Sequence, residues 1–245
     1  MHSLTFLGSG DFFAAERYWN SFVIDRRILV EPSPIVVPHL RKAGLDIGTL
    51  EAVLISHFHP DHTFGWPFLL LELMVSSRSD PVFIIGPPGV KDRLERLMDV
   101  GGMHDVHDVA HDRCDIRYVE AAGDGSPQVA GGLRLRALEV EHLPNLRCFA
   151  YILELDGLNL GYSGDTGPCT ALDNVAEQVD VLVVECTGPQ TGASPPVHLD
   201  TPDVTELQRR FPAVGFVITH IGATANTASL EGCTVASDLE TITLP

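Results

Sequence analysis

His57-Phe58-His59-Pro60-Asp61-His62 places three imidazoles and a carboxylate within six residues. Imidazole nitrogen and carboxylate oxygen are the donors that hold zinc and similar divalent ions, at about 2.0–2.2 Å. A solvated surface loop is the alternative for such a run. What precedes it favours a metal: Ala52-Val53-Leu54-Ile55-Ser56 reads as a short buried strand, so the donors emerge from the core. His57 and His59 alternate on an extended segment and can point to one side. Asp61 and His62 follow as the chain turns toward a helix at Phe64. One ion could take the first pair and a second ion the other.

Two ions need more donors. His142 stands just past the predicted strand Leu133–Val140, Asp165 in Ser163-Gly164-Asp165-Thr166 just past Leu158–Tyr162, and His220 just past Val217-Ile218-Thr219. Each is the first strong ligand after its strand, so all can converge on one edge. Gly10 and Gly164 would allow tight backbone turns beside the metals.

Further strands are expected at Leu4–Leu7, Ser21–Val23, Arg27–Val30, Ala52–Ile55, Val82–Ile85, Arg117–Val119, Cys148–Leu155, Val181–Glu185 and Val214–Thr219. Helices are expected at Pro38–Ala43, Phe64–Val75, Val90–Val100, Cys169–Gln178 and Pro202–Arg210. The strands cluster in two halves, each with helices. That pattern suggests two sheets face to face with helices outside, a four-layer αββα sandwich of the α/β class. No linker divides the chain, so residues 1–245 are expected to form one domain.

The chain has 245 residues, 44% of them hydrophobic, enough for one substantial core. It shows neither an apolar run long enough to span a bilayer nor a signal-peptide start, so a cytoplasmic location is expected. The five cysteines are scattered without CxxC spacing, which supports neither a disulfide framework nor a cysteine zinc site. A formal charge of −17 disfavours long polyanions, whose binding needs clustered Lys and Arg. A small phosphorylated substrate stays compatible, because bound metal ions reverse the local field.

The order HFHPDH, His142, SGDT with Asp165, then Thr219-His220, with gaps of 80, 23 and 55 positions, resembles the metallo-β-lactamase superfamily. With the opening Phe6-Leu7-Gly8-Ser9-Gly10, the resemblance is to its ribonuclease Z-like and phosphodiesterase branch. It implies a sandwich with a dinuclear site. One ion would take His57, His59 and His142, and the other Asp61, His62 and His220, with Asp165 bridging. The implied nucleophile is a metal-bridging hydroxide, with Asp61 serving catalysis as well as ligation. Zinc is the expected ion, although a His/Asp set also accepts manganese or iron(II). The implied substrate is a small phosphoester, such as a cyclic nucleotide, and the resemblance leans toward a homodimer. Hydrolysis of a thioester, lactone or other carboxyl ester would use the same ligands. Iron-dependent redox chemistry is a third class, but flavodiiron members carry Glu where this chain has His59.

Two departures bear on substrate. Val184-Glu185-Cys186-Thr187 stands where ribonuclease Z has His-Glu-Ala-Thr, so the histidine is missing. The interval between His142 and Asp165 leaves no room for a tRNA-gripping arm, which disfavours pre-tRNA 3′-end processing. His198, in Val197-His198-Leu199-Asp200-Thr201, matches the branch's histidine of the His-Ser-Thr type, which contacts phosphate and can act as general acid. Its plainer alternative is a loop histidine beside a helix capped by Asp200 or Thr201. His104, His107 and His111 would share a helix face but read as a solvated acidic segment. Phe64, Trp66 and Phe68 read as helix-core packing rather than a site wall, and Glu31 as structural.

Overall fold

Short apolar runs, continuous in the central strands and alternating in Leu133–Val140, build two sheets in this computed structural model, which describes residues 1–76, 78, 80–189 and 195–245. The strands of the first half are β1 (Ser3–Gly8), β2 (Ser21–Ile24), β3 (Ile28–Val30), β4 (Ala52–Leu54), β5 (Val82–Gly86) and β6 (Ile116–Glu120). Those of the second half are β7 (Asp124–Ala130), β8 (Leu133–Val140), β9 (Cys148–Leu155), β10 (Leu158–Tyr162), β11 (Val181–Cys186), β12 (Gly215–Ile221) and β13 (Thr234–Val235). A last strand, β14 (Thr241–Thr243), crosses back to pair with β1. The helices are α1 (Val36–Lys42), α2 (Pro60–Thr63), α3 (Trp66–Val75), α4 (Val90–Val100), α5 (Val106–Arg113), α6 (Thr170–Ala176) and α7 (Thr201–Arg210).

Sheet order is β14-β1-β2-β3-β4-β5-β6 in one sheet and β13-β12-β11-β10-β9-β8-β7 in the other. Each combines antiparallel hairpins with parallel strands: β3 to β6 in the first sheet, β10 to β13 in the second. Both faces of the central strands are buried, as parallel pairing with covered faces requires. Phe6, Phe22, Leu54, Phe149, Tyr151 and Val183 meet between the sheets. Leu7, Val23 and Val53 face the opposite way, into a core shared with Leu40, Trp66 and Leu94 of α1, α3 and α4. Ile152, Leu182 and Ile218 do the same against Leu172 of α6 and Val204 of α7. The result is the expected αββα layering. No helix among the described residues is long and apolar enough to cross a membrane.

Every expected strand and helix has a counterpart within two residues at each end, and β8, β9, β10 and α4 match at both bounds. β7 and β14 lie at sheet edges and β13 is only two residues long, and none was expected. β7 is largely exposed and contains Gly125 and Pro127, which an outer strand tolerates. α5 also lacks an apolar period, and it takes up the segment read as a solvated cluster. Trp66 is fully buried as expected, while Phe64 and Phe68 are exposed on the α2–α3 side. α7 begins with a capping box: Asp203 N–H donates to Asp200 Oδ1 and Asp200 N–H to Asp203 Oδ2, each at 3.0 Å.

Candidate metal centre

Every donor of the expected set leaves a strand or its immediate extension at one end of the sandwich. His57 and His59 prolong β4. Pro60 holds His59 extended and opens α2 at its first position, where its missing N–H costs nothing. Asp61 and His62 then fall in the first turn of α2, whose start is tied by the Thr63 hydroxyl donating to His59 O at 2.9 Å. His142 follows β8, Asp165 follows β10, and His220 is the penultimate residue of β12 rather than lying past it. The two sheets are joined here by Phe149 N–H to Ser56 O at 3.0 Å and Tyr151 O–H to Ile55 O at 2.8 Å. Gly164 holds a left-handed φ of 59°, and a Cβ there would sit 2.7 Å from Phe149 O. Gly10 serves by close approach instead, since a Cβ would come within 2.7 Å of Arg17 Cβ.

The donors form two groups. His57, His59, His142 and Asp165 make one, and Asp61, His62 and His220 the other. In the first, His57 Nε2 is 2.9 Å from His59 Nδ1 and 3.7 Å from Asp165 Oδ2, and His142 Nε2 is 3.4 Å from His59 Nδ1. In the second, His62 Nε2 is 3.3 Å from Asp61 Oδ2, and His220 Nε2 is 3.6 Å from it. Asp165 Oδ2 lies 3.4 Å from both His62 Nε2 and His220 Nε2, so it stands between the groups. Four donors at about 2.0–2.1 Å around one ion stand about 3.3 Å apart. The separations therefore suit a shared cation.

Unsatisfied atoms point the same way. His62 Nε2, Asp165 Oδ1 and His220 Nε2 are buried without a hydrogen-bond partner among the described residues. Such atoms are costly in a folded interior unless something supplies the missing partner. A divalent cation fits that need, and the all-His/Asp donor set fits its chemistry.

Electrostatics divide the histidines. Burial pushes His57, His59 and His142 below the ordinary imidazole range, toward the neutral form a metal requires. Burial opposes charge on His62 and His220 too, but Asp165 and Asp61 override it and raise both. The same histidines hold Asp61 and Asp165 ionised against their burial. A cation here would displace protons from His62 and His220.

The outer nitrogens of His57, His142 and His220 are held from behind. His142 Nδ1–H donates to Val197 O at 2.7 Å, and His57 Nδ1 is 2.9 Å from Ser56 Oγ. His220 Nδ1 is 2.9 Å from Thr187 Oγ1, whose hydroxyl donates to Glu185 Oε2 at 2.7 Å. Behind His62 lies Glu31 Oε1, 3.5 Å from Nδ1, an ion-pair distance without a hydrogen bond. Glu31 is fully buried at a left-handed φ of 58° and accepts from Ser56 N–H and Tyr162 O–H, both at 3.1 Å. The sequence marks it only as an acid after a buried apolar run.

His198 reaches the same place. Its Nδ1–H donates to Glu185 Oε1 at 2.7 Å, and Thr166 N–H donates to that same oxygen at 2.8 Å. Burial alone would lower His198, yet the Glu185 carboxylate raises it to about 9. Asp165, His198 and His220 also form a donor group by distance. The His198 atom measured against Asp165 Oδ2 is Nδ1, at 4.0 Å, and that nitrogen is already committed to Glu185. We therefore place His198 beside the donors rather than among them.

A cleft of about 290 Å³ opens onto this site, bordered by His59, Asp61, Asp165, Thr187, His198 and His220 and by Asp11, Phe12 and Phe13 of the loop after β1. Sequence reasoning missed that loop. Its signal was two adjacent aromatics in a turn with no strand or helix period. A larger cleft, about 460 Å³ between residues 14–17 and 221–227, contains none of the donors.

The beta-lactamase superfamily domain matches residues 26–221, most of the chain and all seven donors. This chain belongs to the metallo-β-lactamase superfamily. Among relatives of this metallo-β-lactamase-fold chain, ribonuclease Z of Ignicoccus hospitalis is 30% identical over 184 residues, covering 60% of this chain and 61% of that protein. The chain spans about three-fifths of the length of such ribonuclease Z relatives. The short form of human tRNase Z shares the fold, with a TM-score of 0.77 at 20% identity over 99% of both chains. So does a diphosphatase from the PhnP family, with a TM-score of 0.73 at 16% identity over 100% of this chain and 98% of that one.

His104, His107 and His111 do not converge. His104 Nδ1 faces Asp99 at 3.1 Å, His107 Nδ1 faces Glu95 at 3.6 Å, and His111 packs against the Tyr118 ring. They join no donor group among the described residues.

Proposed function

We propose that this protein is a dinuclear metal-dependent phosphodiesterase acting on a small phosphoester such as a cyclic nucleotide. The observation that carries the reading is the His198–Glu185 pair, hydrogen-bonded at 2.7 Å and bordering the cleft next to Asp165. His57, His59 and His142 would hold one ion and Asp61, His62 and His220 the other, with Asp165 shared. Zinc best suits this set, with manganese or iron(II) also compatible. Two such ions supply an activated water and positive charge for developing oxyanions.

The chain's own residues supply the rest. Glu185 holds His198 protonated and orients its ring through Nδ1. Nε2 is then the nitrogen left to give a proton to the departing alkoxide, as a phosphodiester requires. Thr187 bridges Glu185 to His220, so the acid and the donor set keep a common register. Glu185 and Thr187 do this without the histidine that precedes them in ribonuclease Z. Pre-tRNA processing, which the relatives' names would suggest, is not favoured. The interval from His142 to Asp165 is filled by β9 and β10, and the cleft is lined by no lysine or arginine among the described residues.

The test is turnover of bis(p-nitrophenyl) phosphate by metal-reconstituted protein, beside a thioester and a lactone, with a chelated control. Metal-dependent nitrophenol release without ester turnover supports the reading. Silence on the phosphodiester with cleavage of a carboxyl ester would replace it with acyl hydrolysis and remove the phosphate role of His198. Asp61→Ala is expected to abolish turnover while circular dichroism stays that of the parent.

A further inference from the structure

We propose that Phe12 and Phe13 form a stacking platform that selects substrates carrying a planar aromatic group, a nucleobase or aryl ring, over aliphatic phosphoesters. The phosphoester half of this inference rests on the function proposed above; the aromatic half stands on the loop itself. Phe13 is 81% exposed and Phe12 49%, and the two rings meet edge to face with centroids 4.9 Å apart. Both border the cleft that contains the metal donors and His198. Their exposure is built rather than loose. Asp11 N–H donates to Ile221 O at 3.2 Å, directly after His220, and Asp11 Oδ1 accepts from Phe13 N–H at 3.0 Å. Gly10 N–H donates to Tyr18 O at 2.8 Å, and Trp19 Nε1–H to Phe12 O at 3.2 Å. The turn is thus pinned at both ends, and the rings are pre-positioned, which lowers the ordering cost of binding.

Charge supports the same occupant. Arg17, the one cation of residues 11–19, donates to Ser9 Oγ at 2.7 Å and Ala236 O at 2.8 Å and so faces the fold. With no lysine or arginine lining the cleft among the described residues, a second phosphate finds no partner there. A base or aryl ring does, because every such ring has a π-face to stack.

The experiment is calorimetric titration of the zinc-loaded protein with adenosine 5′-monophosphate and with ribose 5-phosphate. The parent is expected to bind the nucleotide at least tenfold tighter. Phe12→Ala/Phe13→Ala is expected to bring the ratio within twofold, and Phe13→Trp to keep it; zinc content and melting temperature report that each variant is folded. Equal affinities in the parent, or an unchanged ratio in the double alanine variant, overturn the inference. Selective binding without nitrophenol release from bis(p-nitrophenyl) phosphate keeps the platform and defeats the phosphodiesterase reading. Failure of the parent to bind either ligand at millimolar concentration overturns the platform.

Discussion

Glu31→Gln separates a metal-supporting role from a purely architectural one. The change is isosteric, and Oε1, the oxygen that accepts from both Ser56 N–H and Tyr162 O–H, can remain an acceptor. The new amide would then occupy the Oε2 position, 3.3 Å from Ser56 N, where donor faces donor. Hydrogen bonds to a charged acceptor exceed neutral ones by about 1 kcal/mol. The metal-free protein should therefore lose about 1–2 kcal/mol, a drop of about 2–8 °C in melting temperature for a chain of this size. Metal binding should suffer more. Glu31 lies 3.5 Å behind His62 Nδ1, and removing such a carboxylate typically lowers metal affinity about 10–100-fold. Competition with a chromophoric zinc chelator measures that affinity, and scanning calorimetry of the metal-free protein measures the structural part. Zinc affinity within twofold of the parent, beside the expected loss of stability, would refute the claim that Glu31 acts on His62.

Glu185→Gln is expected to move the alkaline limb of kcat to lower pH. His198 must be protonated to donate, activity therefore falls as pH rises through its pKa, and the raised value of about 9 depends on the Glu185 charge. Bound cations lower that value, so the parent limb should lie at or below pH 9, and an identical limb in the variant would sink the proton-donor role. Leu239→Gly is expected to stabilise the protein by about 1 kcal/mol, read as a rise of about 2–4 °C, because Leu239 holds a left-handed φ of 61° on a partly exposed turn. An unchanged or lower melting temperature would show that its side-chain packing outweighs the backbone strain.

The convergence of the seven His and Asp residues was legible because each is marked locally. Each stands next to a short apolar run that already announces a strand, so spacing and position could be read together. Apolar patterning also gave β8, β9 and β10 their bounds, by alternation in Leu133–Val140 and by a near-continuous apolar run in Cys148–Leu155. β7 was invisible because an outer strand with an exposed face needs no apolar pattern, and α5 because its His/Asp run buries little besides His107 and Ala110. Glu31 was named but undervalued, since its meaning lies in Tyr162, which is 131 positions away. Phe12 and Phe13 matter through what they stand beside, a relation that exists only once β1 and β12 bring their loops together.

The seven donors are drawn from both sheets, from the end of β4 on one side and from the ends of β8, β10 and β12 on the other. In the proposed centre, neither sheet alone holds enough ligands for two ions. A nascent chain still missing β12 lacks His220, and a chain with its sheets parted has lost the shared carboxylate. On the proposed reading, the polypeptide would gain its chemistry only once the sandwich has closed. Inactivation by heat or denaturant should accordingly coincide with separation of the sheets, and fraying at the β7 or β14 edge should leave turnover untouched.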